Sequence, residues 1–517
     1  MLTDRIQQRI QSLALAVLVT GVALFVWSVP QHDFYVDEAF IGEYAYFHAR
    51  DGYVHSEFWR GFLRQDEYVT LYHRLAVWSG SATINLFGAE LWALRMVSIC
   101  SAVVTATLLV WWTRRFSYRS SSNVSSNVSF NAFADAVPVL AAWLLMPTVF
   151  YHAKCFRPEM QTAMFGFASF CALYKNEEAA RPALFVTLAG ALAGAAMLTH
   201  LAGAMYLGAG ILILLLRRQY GRSGLFVVSA IVVFSPCITD IAKHWDIFLV
   251  QISNPQAQSK LAWTPLTPLW NVLAEQERFF RKPQFIVVSC AWLVSIALAW
   301  RTASHEERLV RRYTALLIIV LGATLEDKRD YMALYAPFMA LTIAGGIRTG
   351  GERWHTWRAG RRIAASLVLI GFVGYGLYFQ VRDAVWSKED VVGLNAAIGA
   401  HLPEGAWCLA PMNMMFNQIG RVHLVSYSAV ADVWHGDRAI TSVAAAVAAC
   451  ERLGLEYVVM NRFAEERERI ADAAPRASDL EAAFTTVVRT NEYWILQYRH
   501  AHRAHHAHHA PSPLPQP

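Results

Sequence analysis

The chain has 517 residues, 55% of them hydrophobic and only 16% charged, with a mean hydropathy of +0.30. Ordinary soluble domains carry about 25% charged residues, so this composition excludes a soluble globular protein and points to a polytopic membrane protein. The formal net charge of +6 resides in short loops between apolar runs, where membrane topology puts it, and implies no nucleic-acid partner.

Residues 1–12 are polar and carry Arg5 and Arg9. The apolar run 13–30 predicts a first span. Its exit, Trp27-Ser28-Val29-Pro30-Gln31, offers no small-residue cleavage site, so the run reads as an uncleaved span with a cytoplasmic N-terminus. Loop 31–90 holds nine acidic and four basic residues, which assigns it to the outside. Within it, Glu38 to Arg50 has helical spacing with aromatics at Phe40, Tyr44 and Phe47. Residues 68–88 are half apolar but carry His73, Arg74 and Asn85, which predicts a helix lying at the interface.

A second span, 91–113, leads to Arg114, Arg115 and Arg119. The stretch 120–129 is a low-complexity Ser/Asn linker; Asn123 and Asn127 match the N-glycosylation pattern, but the basic flanks put them in the cytoplasm. Further spans are expected at 134–151, 158–174, 183–199, 201–216, 224–240, 284–300, 313–325, 331–347 and 363–380, about eleven in all. Basic clusters alternate with them: Arg217/Arg218/Arg222, Arg301/Arg308/Arg311/Arg312 and Arg348/Arg353/Arg358/Arg361/Arg362. By the positive-inside rule, 31–90, 152–157, 241–283 and 326–330 lie outside, as does everything from 381 onward. The two termini then occupy opposite faces.

From 381 the composition changes. Ser387-Lys388-Glu389-Asp390 reads as a capping box opening a helix. Residues 406–410, 422–426 and 457–460 look like strands, 442–453 like a helix, and 484–488 with 493–498 like a hairpin. The segment 381–499 is therefore expected to be a small extracytoplasmic α/β domain, and 500–517 a disordered His/Pro-rich tail. The seven cysteines show no metal spacing. Cys100, Cys171, Cys237 and Cys290 read as packing residues and Cys155 lies in a loop. Cys408 and Cys450 share the C-terminal domain, where an oxidising compartment would permit a disulfide.

Ionisable groups gather on the outer side. Asp37 and Glu38 follow the first span, Lys154 and Arg157 sit between the third and fourth, and Lys328 and Arg329 precede Tyr331. A carboxylate there can take a proton from an attacking hydroxyl, and cations can stabilise a departing phosphate. Plainer readings stand beside this one. Acids favour helix N-termini, and Lys and Arg snorkel at interfaces. Arg95, about one turn into the second span, needs a partner or a path to water. His200 reads as a hydrogen-bonded structural histidine, and His48, His55 and His73 are too scattered for a metal site. Trp59, Tyr68, Trp263 and Trp270 suit an interfacial aromatic belt better than sugar stacking.

A first span, an Asp-Glu pair and a long outer loop with interfacial helices resemble the GT-C superfamily of glycosyltransferases. The likeness is to the branch of protein O-mannosyltransferases and lipid A aminoarabinose transferases. It rests on Val36-Asp37-Glu38-Ala39, on Leu86 to Arg95 entering the second span, on Phe156-Arg157-Pro158-Glu159, and on Tyr331-Met332-Ala333-Leu334-Tyr335-Ala336-Pro337. It covers about residues 10–350. The resemblance implies a catalytic transmembrane unit, 1–380, that moves a sugar with inversion from a polyprenyl phosphate to a hydroxyl or amine on a lipid, glycan or protein. Asp37 would be the base and Glu38 would orient it or the acceptor. Lys154, Arg157, Lys328, Arg329 and Tyr331 would hold the donor phosphate, and Arg95 would anchor the outer loop. Departures exist: only Glu159 can stand for the further acid some members carry, and Arg329-Asp330-Tyr331 replaces an adjacent Arg-Tyr. Metal dependence varies in the superfamily; a divalent ion is compatible and nothing in the sequence requires one. The protein would sit in a bacterial inner membrane.

Two other classes compete. A flippase for a lipid-linked sugar predicts charges at the bilayer midplane and paired broken helices, whereas these charges lie at span edges and no repeat is visible. A non-catalytic envelope-assembly protein predicts that Asp37 is dispensable.

Overall fold

The computed structural model describes residues 2–30, 32, 34–120, 128–175, 180–253, 266–324, 331–353, 356–386, 390–427, 443–461 and 483–499. Helices dominate. In chain order they are α1 (Leu2–Ser28), α2 (Val36–Asp51), α3 (Arg74–Phe87), α4 (Leu91–Ser120), α5 (Val128–Leu145), α6 (Pro147–His152), α7 (Pro158–Lys175), α8 (Pro182–Thr199), α9 (Ala204–Leu216), α10 (Tyr220–Lys243) and α11 (Trp245–Ile252). After these come α12 (Thr267–Ala274), α13 (Gln276–Phe280), α14 (Pro283–Leu298), α15 (His305–Thr324), α16 (Ala336–Arg353), α17 (Ala359–Trp386), α18 (Val391–Gly399) and α19 (Val443–Leu453).

Five helices, Gln8–Ser28, Leu91–Arg115, Pro182–Thr199, Tyr220–Lys243 and Ala359–Val385, are long and apolar enough to cross a membrane, which makes this an integral membrane protein. The pair Thr267–Phe280 and Pro283–Leu298 qualifies together but is bent by 104°. Among the described residues, five helices, or six with the bent pair, thus pass by length and composition, and Ala136–Leu145 and Leu201–Leu216 are shorter apolar helices. The expected run 134–151 is interrupted where Pro147 starts a new helix after Met146, since proline has no N–H to continue the old one. Helix α7 is diluted by Glu159, Gln161, Thr162 and Ser169, all buried by neighbouring helices rather than facing lipid.

Small residues let helices approach. Gly190 and Gly194 lie four apart on one face of α8. A Cβ there would come 2.2 Å from the Phe226 carbonyl oxygen and 2.4 Å from that of Ala230, both on α10. This is the small-residue packing of membrane helices.

At the C-terminus β1 (Trp407–Ala410), β2 (His423–Ser426), β3 (Tyr457–Asn461), β4 (Phe484–Arg489) and β5 (Tyr493–Tyr498) form one sheet in the order β2-β1-β3-β5-β4. The first three strands are parallel; β5 runs antiparallel to both β3 and β4. Asp390 caps α18, its Oδ1 accepting the Gly393 N–H at 2.8 Å; Ser387, Lys388 and Glu389 of the expected capping box lie outside the described residues. Cys408 and Cys450 are both free. Alternation along β1 sends Cys408 into the core on one face of the sheet, while Cys450 joins Leu409 on the other. The two thiols are not bonded to each other.

The sheet shares a core with α2 and α3, in which Phe34, Ala39, Tyr44 and Val77 pack with Met412, Met414, Met415, Phe416 and Ile495. The loop after α2 ties the two parts together. Buried Glu43 accepts from the Ser56 hydroxyl at 2.6 Å and the Phe58 N–H at 2.8 Å, and the Phe58 carbonyl accepts the Ser426 N–H of β2 at 3.1 Å. Arg60 lies 3.5 Å over the Trp407 ring.

One buried ion pair fixes α2. The Glu38 carboxylate, fully buried, accepts from Arg95 Nε and Nη2 at 2.9 Å each, from the Phe156 N–H at 2.7 Å and from the Tyr35 N–H at 3.0 Å. Arg95 Nη1 also donates to the His32 carbonyl at 3.1 Å. Burial alone would push the Glu38 carboxyl up, but the Arg95 charge and these hydrogen bonds together hold it below its ordinary value.

Glu38→Ala leaves Arg95 buried and uncompensated, which is expected to cost about 3–5 kcal/mol, read as a lower midpoint of thermal unfolding in detergent; Glu38→Leu with Arg95→Met should recover most of it. Because the folded carboxyl lies below the unfolded value of 4.5, the pair's contribution is complete above that pH and is lost as pH falls through the folded value. Gly190→Val should likewise destabilise the protein, whereas Gly374→Val, with open space around its Cβ, should not.

Candidate active site

The two acids in the first turn of α2 go opposite ways. Glu38 turns inward to Arg95, while the Asp37 side chain stays 46% exposed. The helix N-terminus and the anchored neighbour hold Asp37 in place. Arg157, from the loop between α6 and α7, brings Nη2 to 3.3 Å from Asp37 Oδ2. The same guanidinium binds Glu159 through two nitrogens, Nε to Oε2 at 3.1 Å and Nη2 to Oε1 at 2.5 Å, and lies 4.5 Å over the Tyr35 ring. Ser98 donates to the Arg157 carbonyl at 3.3 Å. A planar cation is thus held between an accessible carboxylate and a buried one, and an arriving anion would compete with Asp37 for it.

Two histidines feel the Glu159 charge. The rings of His73, at the N-terminus of α3, and His200, between α8 and α9, stack at 4.6 Å and 13°. His200 also meets the Tyr331 ring at 5.1 Å. Burial, which outweighs the opposing Glu159 charge, pushes His73 down to about 3 and His200 to about 4, with Arg157 acting in the same direction. Both imidazoles are therefore neutral at physiological pH. Beyond Tyr331 lies the Arg278 guanidinium, 5.2 Å over its ring. Arg278 Nε donates to Glu275 Oε1 at 2.6 Å, and the Tyr335 hydroxyl donates to the same oxygen at 3.1 Å.

Among the residues singled out from sequence, Asp37, Arg157 and Glu159 come together, with Glu38 and Arg95 as their support. Tyr331 joins them through His200. Lys154 does not share this cluster's contacts. Its buried ammonium pairs with Asp383 near the end of α17, donates to Ser28 Oγ at 2.8 Å and sits 3.8 Å over the Phe150 ring. Burial lowers it to about 8 despite Asp383. Lys328 and Arg329 lie outside the described residues, as does Trp263, while Tyr68 stacks on His244 at 3.8 Å. Sequence reasoning missed Glu275 and Arg278, whose three-residue spacing on a helical turn was the available signal. It also left His73 and His200 unpaired, because nothing in sequence joins positions so far apart. No three His, Cys, Asp or Glu side chains converge as a metal-binding group among the described residues.

No protein-family model matches the chain, and no curated protein matches it in sequence. Solved structures do. ArnT from Cupriavidus metallidurans bound to undecaprenyl phosphate superposes with a TM-score of 0.57 at 12% identity, covering 94% of this chain and 98% of that one. The apo form of the same protein gives 0.57 at 13% identity with the same coverage. The Archaeoglobus fulgidus oligosaccharyltransferase AglB, in complex with an inhibitory peptide and a dolichol-phosphate, gives 0.52 at 12% identity, covering 92% of this chain and 72% of that one. A likeness at such low identity is one of architecture, and it extends over nearly the whole chain: the protein has the GT-C fold that the aminoarabinose transferase and the oligosaccharyltransferase share.

Proposed function

We propose that the protein is an inverting glycosyltransferase that moves a sugar from a polyprenyl phosphate to a hydroxyl or amine acceptor at the outer face of a bacterial inner membrane. The observation that carries this reading is the accessible Asp37 carboxylate, set by the buried Glu38–Arg95 pair and lying 3.3 Å from Arg157. Undecaprenyl phosphate and a dolichol-phosphate in the two neighbours with this fold support the choice of donor. The basic loops alternating along the sequence support a cytoplasmic N-terminus.

In the reaction, Asp37 takes the proton of the acceptor hydroxyl or amine. The freed electron pair attacks the anomeric carbon from the side opposite the phosphate. The bond from that carbon to the phosphate oxygen breaks, its electrons stay on the oxygen, and polyprenyl phosphate leaves as an anion. Arg157 faces that developing charge; Lys328 and Arg329 are further candidates from sequence. Glu159 keeps Arg157 in place. The position between Asp37 and Glu159 is filled by the guanidinium, so no step is assigned to a metal.

The ion pairs among the described residues favour transfer over flipping. Glu38–Arg95, Lys154–Asp383, Arg157–Glu159 and Arg74–Asp240 all fall at helix ends or in loops, not at mid-span, where a transporter would bind its cargo.

Asp37→Asn keeps the shape and removes the base. Transfer from undecaprenyl-phosphate-linked sugars should fall about 10²–10⁴-fold with unchanged thermal unfolding; full activity in well-folded variant protein would remove Asp37 from the mechanism. Arg157→Lys retains a charge but not the planar fork, and is expected to lose about 10²-fold in turnover. A turnover equal to that of the parent would take Arg157 off the leaving group.

A further inference from the structure

We infer that His200 is a donor-positioning residue, offering its Nε2–H to an oxygen of the phosphosugar head group bound between Arg157 and Tyr331. The inference rests on the transfer reading above and names one contact within it.

The proton's position follows from the local backbone. His200 leaves α8 in an extended conformation (φ −155°, ψ 137°) and caps the short turn Leu201–Gly203. In that role its Nδ1 accepts the Ala202 N–H at 2.9 Å. A neutral imidazole accepting at Nδ1 must carry its proton on Nε2. That N–H has no partner among the described residues, and His200 is largely but not fully buried.

The ring cannot easily turn away. His73 stacks on it at 4.6 Å and Tyr331 closes at 5.1 Å. Of the charged groups, Glu159 and Arg157 are the ones whose fields reach it, and Arg157 is the guanidinium that faces Asp37. Arg157 supplies charge to the phosphate. A rigid, uncharged donor on His200 suits an oxygen of the same head group, either on the phosphate or on the sugar, and adds direction where the cation adds attraction.

The test separates the two nitrogens. His200→Gln puts an amide donor near the Nε2 position and abandons the cap; His200→Asn keeps an acceptor near the Nδ1 position and abandons the outward donor; His200→Phe loses both and keeps the stack. Dissociation constants are measured for the full chain in lipid nanodiscs with undecaprenyl phosphate and with undecaprenyl-phosphate glucose. His200→Phe and His200→Asn should bind about tenfold more weakly, and His200→Gln close to the parent. Weakening toward both lipids assigns the contact to a phosphate oxygen; weakening toward the glucose lipid alone assigns it to the sugar. Equal binding by all four proteins, or rescue by Asn and not by Gln, overturns the proposal and leaves the transfer reading intact. A parent protein that binds neither lipid overturns both.

Discussion

The buried pair of Glu38 and Arg95 is the contact on which the site depends. Four hydrogen bonds converge on one carboxylate, from the guanidinium, from the residue that opens α2 and from the loop that carries Arg157. Three separate stretches of chain are thereby set against each other at one point. Such a pair contributes little net stability compared with apolar packing, but it is intolerant of losing either partner. Its value is geometric: it fixes the first turn of α2, and with it the direction of the neighbouring Asp37.

Around that point the structure repeats one device. Each segment beside the site is tied by a charge or polar group to a segment remote in sequence. Lys154 reaches Asp383 across 229 positions, Arg74 reaches Asp240 across 166 and Thr70 reaches Gln251 across 181. Burial strengthens these contacts by excluding water, and it makes each costly to leave half-made. The apolar helices bring the pieces near one another; the polar contacts set their register.

Much of this was legible in the sequence, for reasons that differ by element. The strands at 407–410, 423–426 and 457–461 and the hairpin 484–498 stood out because short β-rich runs were bounded by turn residues. Helix α2 was visible through its acids and its spacing. Asp37 and Arg157 were visible because charge at the edge of an apolar run is rare. The partners were not. Glu38 for Arg95 and Asp383 for Lys154 are choices of tertiary structure, and a list of charges does not say which cation meets which acid. Pro147 and the buried polar residues of α7 show that a helix inside a bundle need not be apolar all round, which hydropathy alone does not reveal.

Arg157 meets Asp37 through Nη2 and holds Glu159 through Nε and the same Nη2. A guanidinium is flat and has a limited number of edges. With one edge committed to Glu159, an arriving phosphate and Asp37 are rivals for what is left. In the proposed reaction, a phosphate that wins that contest strips Asp37 of its counter-ion and raises its appetite for a proton. The two substrates would then be felt in order, the lipid first, with the base at its strongest only once there is something to transfer.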